Sequence, residues 1–382
     1  MVRFFDVLVE IWDRLRGLFG FHRLTRKGRG ADLEGRGFFR RFAYFLRPLL
    51  MLLILVYFGT MIWRFGFTRG NEMDWPQQAL AAMAAPAPVE GAQSCEISRV
   101  VVMQQALVDI LVNRNDWAPA TPQYKIGVFG LLSWEATPFF DNKASFQRGA
   151  LAAARRMSLE LTDTLGRVRG TSGADPNLEA ARGLLQLDER TWLVNPFDSR
   201  LPFLATSAAS SYRNAIGQFA EYNRRLATCE ALFDARADNL FQLMDRITTD
   251  LGSNVEQISR RSLSRAWDPA TKAFVEGTGN NLGVFDFQAD NLFHEARGRM
   301  FAYHGLLQAA RIDFAEVIAQ RNLADVWDRM EAHIAEGAVL SPLIVSNGNE
   351  DGLFAPAHLS AMAQKMLRAR ANMTEIRDIL AR

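Results

Sequence analysis

The chain has 382 residues, of which 49% are hydrophobic and 23% charged, a balance typical of a globular protein rather than a disordered one. Its formal net charge is only +2, but residues 1–47 carry eleven basic and five acidic groups, a net of +6, which leaves −4 for the rest. A slightly acidic main body argues against nucleic acid as its partner.

The first predicted element is an amphipathic helix over residues 2–20, within a cytoplasmic arm of residues 1–41. Its apolar side chains, among them Phe4, Leu8 and Ile11, recur at steps of three and four, and charged residues occupy the other face. Such a helix lies among the lipids of the cytoplasmic leaflet or docks on a partner helix. The Gly- and Arg-rich stretch that follows resembles a lipid-attracted tether, which favours the membrane.

A transmembrane helix is predicted over residues 42–67, around the uncharged run from Pro48 to Trp63. Sixteen residues reach about 24 Å, less than a hydrocarbon core of about 30 Å, but aromatic residues extend the apolar surface at both ends. The alternative is a buried core helix, which is rarely apolar on every face. The positive arm predicts a single-pass protein of the bacterial inner membrane, with a cytoplasmic N-terminus and a periplasmic body.

An Ala/Pro-rich linker is predicted over residues 68–93, followed by a periplasmic domain over residues 94–382. Apolar spacing predicts an all-α domain, because no series of alternating strands is evident. A short apolar stretch, Ile126 to Leu132, is predicted as one strand or a buried loop, and residues 267–286 as a loop. The predicted helices are 98–112, 146–165, 178–187, 210–232, 234–264, 290–320, 323–335 and 356–380.

Recognisable chemical motifs are missing from the sequence. No nucleotide-binding loop, zinc-protease helix or nucleophile elbow occurs, and the five histidines lack metal-ligand spacing, so we predict neither a cofactor nor a metal. Cys95 and Cys229, the two cysteines, both fall in the predicted periplasmic body. That compartment permits a disulfide, but their spacing does not decide between a bond and two buried thiols.

Polar residues beside aromatic ones define a candidate polar pocket, in the segments around residues 141 and 290. Its predicted members are Asp141, Asn142, Asp290, Asn291, Glu295 and Arg297. The alternative is that Asp and Asn residues here satisfy backbone amides at the ends of helices.

Short motifs in these segments give the chain a resemblance to a known family. These motifs are Asp141-Asn142, Phe146-Gln147, Ala289-Asp290-Asn291-Leu292-Phe293, Ala296-Arg297-Gly298, Ser346-Asn347-Gly348 and His358-Leu359. On them the chain resembles the proteobacterial family called domain of unknown function 2333, over about residues 40–382. The resemblance implies a membrane-anchored protein and supplies no activity, substrate or catalytic residue.

The sequence leaves three functional hypotheses. In the first, the periplasmic domain binds or scaffolds cell-envelope components, with membrane lipid and other envelope proteins as partners. In the second, the protein is an envelope hydrolase that uses Asp141, Asp290 or Glu295. In the third, it is a sensor that passes a periplasmic signal to the amphipathic arm, although no output domain is recognisable.

Overall fold

The computed structural model describes residues 37–66, 72–82, 95–137, 140–167, 173–192, 206–263, 265–276, 281, 286–348 and 355–382. The helix predicted over residues 2–20 lies outside the described residues. The chain divides into two compact units, Met1–Gly59 and Thr60–Arg382.

The described residues are mainly helical. The helices are α1 Gly37–Gly66, α2 Trp75–Ala81, α3 Arg99–Asp109, α4 Pro122–Ile126, α5 Asn142–Glu160, α6 Pro176–Leu185, α7 Ala208–Ala227, α8 Ala237–Ser262, α9 Phe287–Asp313, α10 Ala315–Gln320, α11 Ala324–Val339 and α12 His358–Leu380. Wider π-helical turns continue α3 to Arg114 and α5 to Leu165. The predicted loop over residues 267–286 differs from the structure, since an antiparallel hairpin joins β1, Arg265–Asp268, to β2, Ala273–Glu276.

Helix α1 is an apolar helix whose side chains are mostly exposed. Among the described residues, its segment Pro48–Phe65 is the one long and apolar enough to cross a membrane. Only a small part of that segment is buried, mainly Met61 and Phe65 at its C-terminal end. Helix α1 is therefore not a buried core helix, and its length and composition are consistent with a single membrane span.

Helix α9 lies at the centre of the second unit. It packs against α3, α5, α11 and α12, and it buries residues on all sides, including Phe293, Phe301 and Leu307. A helix with apolar residues around its whole circumference belongs in the core rather than at the surface. The polar residues near its N-terminus are therefore brought into the interior with it.

Part of the predicted linker is folded onto α9. The Trp75 ring stacks on Phe301 at 5.2 Å between centroids, and it occupies the space where a side chain at Gly305 would lie. Nearby, His304 Nε2 lies 3.1 Å from the carbonyl oxygen of Met73. Residues 72–82 thus form a fixed part of the second unit.

A disulfide joins Cys95 and Cys229, 134 residues apart in the chain. Both residues are exposed, and Cys229 follows the last turn of α7 in a left-handed conformation with φ of 59°. Beside the bond, Asn223 of α7 accepts from the backbone amide of Ser98 at 3.2 Å and donates to its carbonyl at 3.1 Å. The start of the body is therefore fastened to the end of α7.

The stretch from Ile126 to Leu132, predicted as a strand or buried loop, is instead the last residue of α4 and an exposed loop that follows it. Leu131 is 88% exposed, and Ile126 and Leu132 are about half exposed. Its apolar composition gave a wrong prediction because hydrophobicity alone does not distinguish a core segment from an apolar surface.

Candidate functional site

The close crossing of α5 and α9 positions the candidate site. A Cβ atom at Gly149 would collide with the carbonyl oxygen of Glu295, and one at Gly298 would collide with that of Phe146. The absence of side chains at both glycines lets the two backbones touch. This contact brings the N-terminal end of α5 against the first turns of α9.

An aspartate, an asparagine and a histidine form a hydrogen-bonded group at this junction. His294 Nε2 lies 3.3 Å from Asp290 Oδ1, one helical turn away on α9. With its amide oriented to satisfy both neighbours, Asn142 donates to Asp290 Oδ2 at 2.8 Å and accepts from His294 Nε2 at 3.3 Å. The three side chains therefore fix one another inside the protein.

Asp141 lies beside this group and is fully buried. Neither of its carboxylate oxygens has a hydrogen-bond partner among the residues that the structure describes. Burial, reinforced by the negative charge of Asp290, raises the pKa of Asp141 to about 8. Asp141 consequently keeps its proton at neutral pH.

The pKa of Asp290 is also raised, again by burial, while its hydrogen bond to His294 opposes the shift. Two neighbouring carboxyl groups with restricted access to water do not both ionise readily. The pair is therefore suited to retain a proton at Asp141 while Asp290 is held by Asn142 and His294.

Asn291 does not bond to this group and instead contacts Ser145 and Glu135. Ser145 Oγ donates to its side-chain oxygen at 2.8 Å, and its amide donates to the carbonyl oxygen of Glu135 at 3.1 Å. Arg148 donates to Ser145 Oγ and to the Glu135 carboxylate, each at 3.2 Å. These contacts tie the segment before α5 to both helices.

Two of the predicted pocket residues lie apart from this group. Glu295 pairs with Arg299 at 3.1 Å, and Arg299 also pairs with Asp250 at 2.9 Å. Arg297 donates to the carbonyl oxygen of Ala338 at 3.1 Å, and its guanidinium lies 5.5 Å from the centre of the Phe146 ring. The structure thus brings Asp141, Asn142 and Asp290 together with Asn291 beside them, and it sends Glu295 and Arg297 to other faces of α9.

Asp141 and Asp290 do not cap helices with their side chains, contrary to the alternative interpretation of the sequence. Asp141 precedes α5 but makes no side-chain bond to the backbone amides of that helix. The cap of α9 is Asp286, which accepts from the amide of Ala289 at 3.2 Å. Asp290 lies one turn further on and bonds to side chains instead.

Asp286 links several of the resemblance motifs at the start of α9. Its carboxylate pairs with Arg261 and accepts from Asn347 at 3.1 Å, and Asn347 also donates to the carbonyl of Arg261 at 3.0 Å. The amide of Ser346 donates to His358 Nδ1 at 2.9 Å. These motif residues therefore hold α8, α9 and the start of α12 together.

Residue spacing did not identify His294, Tyr124 or Glu135 as members of this region. His294 was detectable, because a residue four positions after Asp290 shares its helix face. Tyr124 has a buried hydroxyl that lacks a partner among the described residues, and burial raises its pKa. Tyr124 lies in the short helix α4 and Glu135 in a single 3-10 turn, and both elements are too short to give a periodic signal.

Within the described ranges, no group of three or more His, Cys, Asp or Glu side chains has an arrangement that could hold a metal ion. The chemistry that the group can supply is proton retention and hydrogen bonding by carboxyl, amide and imidazole groups.

Comparison with known proteins identifies a family. Residues 129–382 match DUF2333, described as an uncharacterized protein conserved in bacteria. No curated protein and no solved structure matches the chain. The match begins at Phe129, later than the start near residue 40 expected from the motifs, and it contains every motif named above. The chain belongs to the DUF2333 family of bacterial proteins.

Proposed function

We propose that this chain is a single-pass protein of the bacterial inner membrane whose helical body lies in the periplasm and binds or scaffolds other envelope components. The apolar helix α1 would be its anchor, and the net charge of +6 on residues 1–47, which include the first residues of α1, would keep the N-terminus in the cytoplasm. The disulfide between Cys95 and Cys229 supports an oxidising compartment for the body.

The observation that carries the binding role is the contrast between buried polar groups and exposed apolar ones. Asp141, Asp290 and His294 are each at most 5% exposed, so a polymeric substrate has no direct access to them. In contrast, the end of α11 and the segment after it display three exposed apolar side chains, Val339, Leu343 and Ile344, of which Leu343 is 86% exposed. Exposed apolar clusters of this kind are typical of surfaces that bind other macromolecules.

Site-specific photocrosslinking in intact membranes tests this proposal. A photoreactive residue at position 343 is expected to give a discrete adduct with an envelope protein, and the same adduct is expected from position 344. Arg321, an exposed residue between α10 and α11, is the matched control and should give none. Absence of an adduct at 343 and 344, or equal labelling at 321, would contradict the proposal.

A carboxylate-based envelope hydrolase is the second candidate. It is favoured by Asp141, whose raised pKa of about 8 suits a general acid at neutral pH. The direct test is degradation of envelope polymers by the purified full-length protein and by its Asp141→Asn and Asp290→Asn variants. Activity that both substitutions abolish would replace the binding role with an enzymatic one.

A further inference from the structure

We infer that the apolar loop, residues 126–132, is a second membrane contact that enters the interface of the lipid leaflet beside the C-terminal end of α1. The inference rests on the proposed function in one respect, because it requires α1 to span a bilayer. It adds a lipid-binding surface on the body itself.

The apolar loop displays large hydrophobic side chains in a short stretch without charge. Leu131 is 88% exposed, and Ile126, Phe129 and Leu132 are each about half exposed. Moving such side chains from water into an apolar environment is favourable, and the gain grows with the apolar area removed from water. Single exposed hydrophobic residues are common, but this concentration indicates a surface that is covered in use.

The backbone of the apolar loop is closed on itself. Val128 donates to the carbonyl of Leu132, and Gly130 donates to that of Ile126, both at 2.8 Å. Gly127 and Gly130 adopt φ of 64° and 78°, and a side chain at Gly127 would collide with the Leu132 carbonyl. Internal hydrogen bonds suit the membrane interface, because lipid tails offer no partners for backbone groups.

The position of α4, immediately before the apolar loop, identifies the bilayer as the covering partner. Gln123 Nε2 donates to Thr60 Oγ1 of α1 at 3.0 Å, and the Tyr124 ring lies 5.9 Å from that of Phe65. Thr60 precedes Phe65, the last residue of the candidate span, by five residues, or about 7.5 Å along the helix. Helix α4 therefore overlaps in depth with the end of the span.

That depth matches the behaviour of interfacial segments, whose apolar faces enter about 5–10 Å into the boundary between headgroups and acyl chains. Lys125, an exposed residue just before the apolar loop, suits the anionic headgroups at the same level. A protein partner would have to reach this surface beside the lipid that surrounds α1.

Fluorescent labelling of the full-length protein in lipid vesicles tests the inference. A Leu131→Cys variant is labelled with an environment-sensitive dye under non-reducing conditions, which preserve the native disulfide. Because Leu131 is almost fully exposed, its replacement removes little packing. Vesicles of phosphatidylethanolamine and phosphatidylglycerol then carry a quencher either near the headgroup or deep in the acyl chains.

Two control positions separate the possible outcomes. A label at Leu52, in the candidate span, should be quenched most by the deep quencher, and a label at exposed Arg321 should be quenched by neither. The fluorescence emission of the label at position 131 is expected to shift to shorter wavelength. The shallow quencher should quench this label severalfold more than it quenches the label at position 321. If the label at position 131 behaves like the one at position 321 while the label at position 52 is quenched, the loop does not contact lipid but α1 still spans the membrane. If the label at position 52 is also not quenched, α1 does not span the membrane.

Discussion

At the scale of single residues, Asp141 stands out in the described part of the chain because its carboxyl group is buried and neither oxygen has a hydrogen-bond partner. Asp313 provides the contrast, because its carboxylate accepts from Ser98 Oγ at 2.7 Å and from the amides of Arg99 and Val100. Burial raises the pKa of both aspartates, but the Asp313 carboxylate accepts three hydrogen bonds from other residues, whereas that of Asp141 accepts none from another residue in the described part of the chain. Asp141 should therefore reduce the stability of the fold, whereas the hydrogen bonds that Asp313 accepts offset part of the cost of its burial.

Replacing Asp141 with Asn should stabilise the protein at alkaline pH. An acid whose pKa rises on folding holds its proton more tightly in the folded state, so its cost to stability grows as pH rises from 3.8 to about 8. At pH 8 we expect the free energy of unfolding of the Asp141→Asn variant to exceed that of the original chain by a few kcal/mol. At pH 5 this difference should be smaller. Denaturant titrations of the full-length protein in detergent at both pH values measure this difference.

The Asp313→Asn variant is the control for that measurement. It removes part of an acceptor that serves three donors, so we expect a loss of about 1–3 kcal/mol at both pH values. An Asp141→Asn variant that is destabilised at pH 8, or whose gain does not change with pH, would contradict the account of Asp141.

At the scale of elements, the contact between α5 and α9 decides which polar residues meet. Successive residues of a helix point about 100° apart, so Asp290 and His294 share one face, while Glu295 pairs with Arg299 on another. The sequence placed Asp141, Asn142 and Asp290 in one candidate group because polar residues lie beside aromatic ones in those segments. It did not place Glu295 and Arg297, because the rotation of α9 depends on packing at Gly149 and Gly298.

Alanine at Gly149 should weaken this contact. The new Cβ atom would press on the backbone of α9 at Glu295, and overpacking of a core typically costs about 1–3 kcal/mol. Gly217, an exposed position in α7 with open space around it, is the matched control. There alanine should stabilise the protein by about 0.5–1 kcal/mol. Thermal unfolding of both variants checks the pair, and a Gly149→Ala variant as stable as Gly217→Ala would contradict the close crossing.

At the scale of the whole molecule, the sequence predicted the helical class and the apolar segment well, because both depend on periodicity or composition along the chain. It left open the pairing of Cys95 with Cys229, which depends on how residues 134 positions apart approach. It also did not anticipate that Trp75 packs onto Phe301, since an Ala- and Pro-rich stretch carries no signal of its contacts.

Removing the disulfide should destabilise the second unit. The bond closes a long loop, which in the chain-entropy description stabilises the folded state by roughly 2–5 kcal/mol. We expect a Cys95→Ser, Cys229→Ser double variant to unfold at a lower denaturant concentration than the oxidised protein. Reductant should lower the midpoint of the original chain to a similar value and leave the double variant unchanged. Equal midpoints for the oxidised and reduced chain would contradict this role.

The topology of the chain is the central claim, and cysteine labelling with a membrane-impermeant maleimide tests it most directly. One variant carries Leu343→Cys in the body, and another carries Gly30→Cys in the arm, each with the native cysteines joined in their disulfide. In spheroplasts with an intact inner membrane, we predict that position 343 is labelled and that position 30 is labelled only after lysis. Labelling of position 30 in intact spheroplasts, with position 343 protected, would contradict the account.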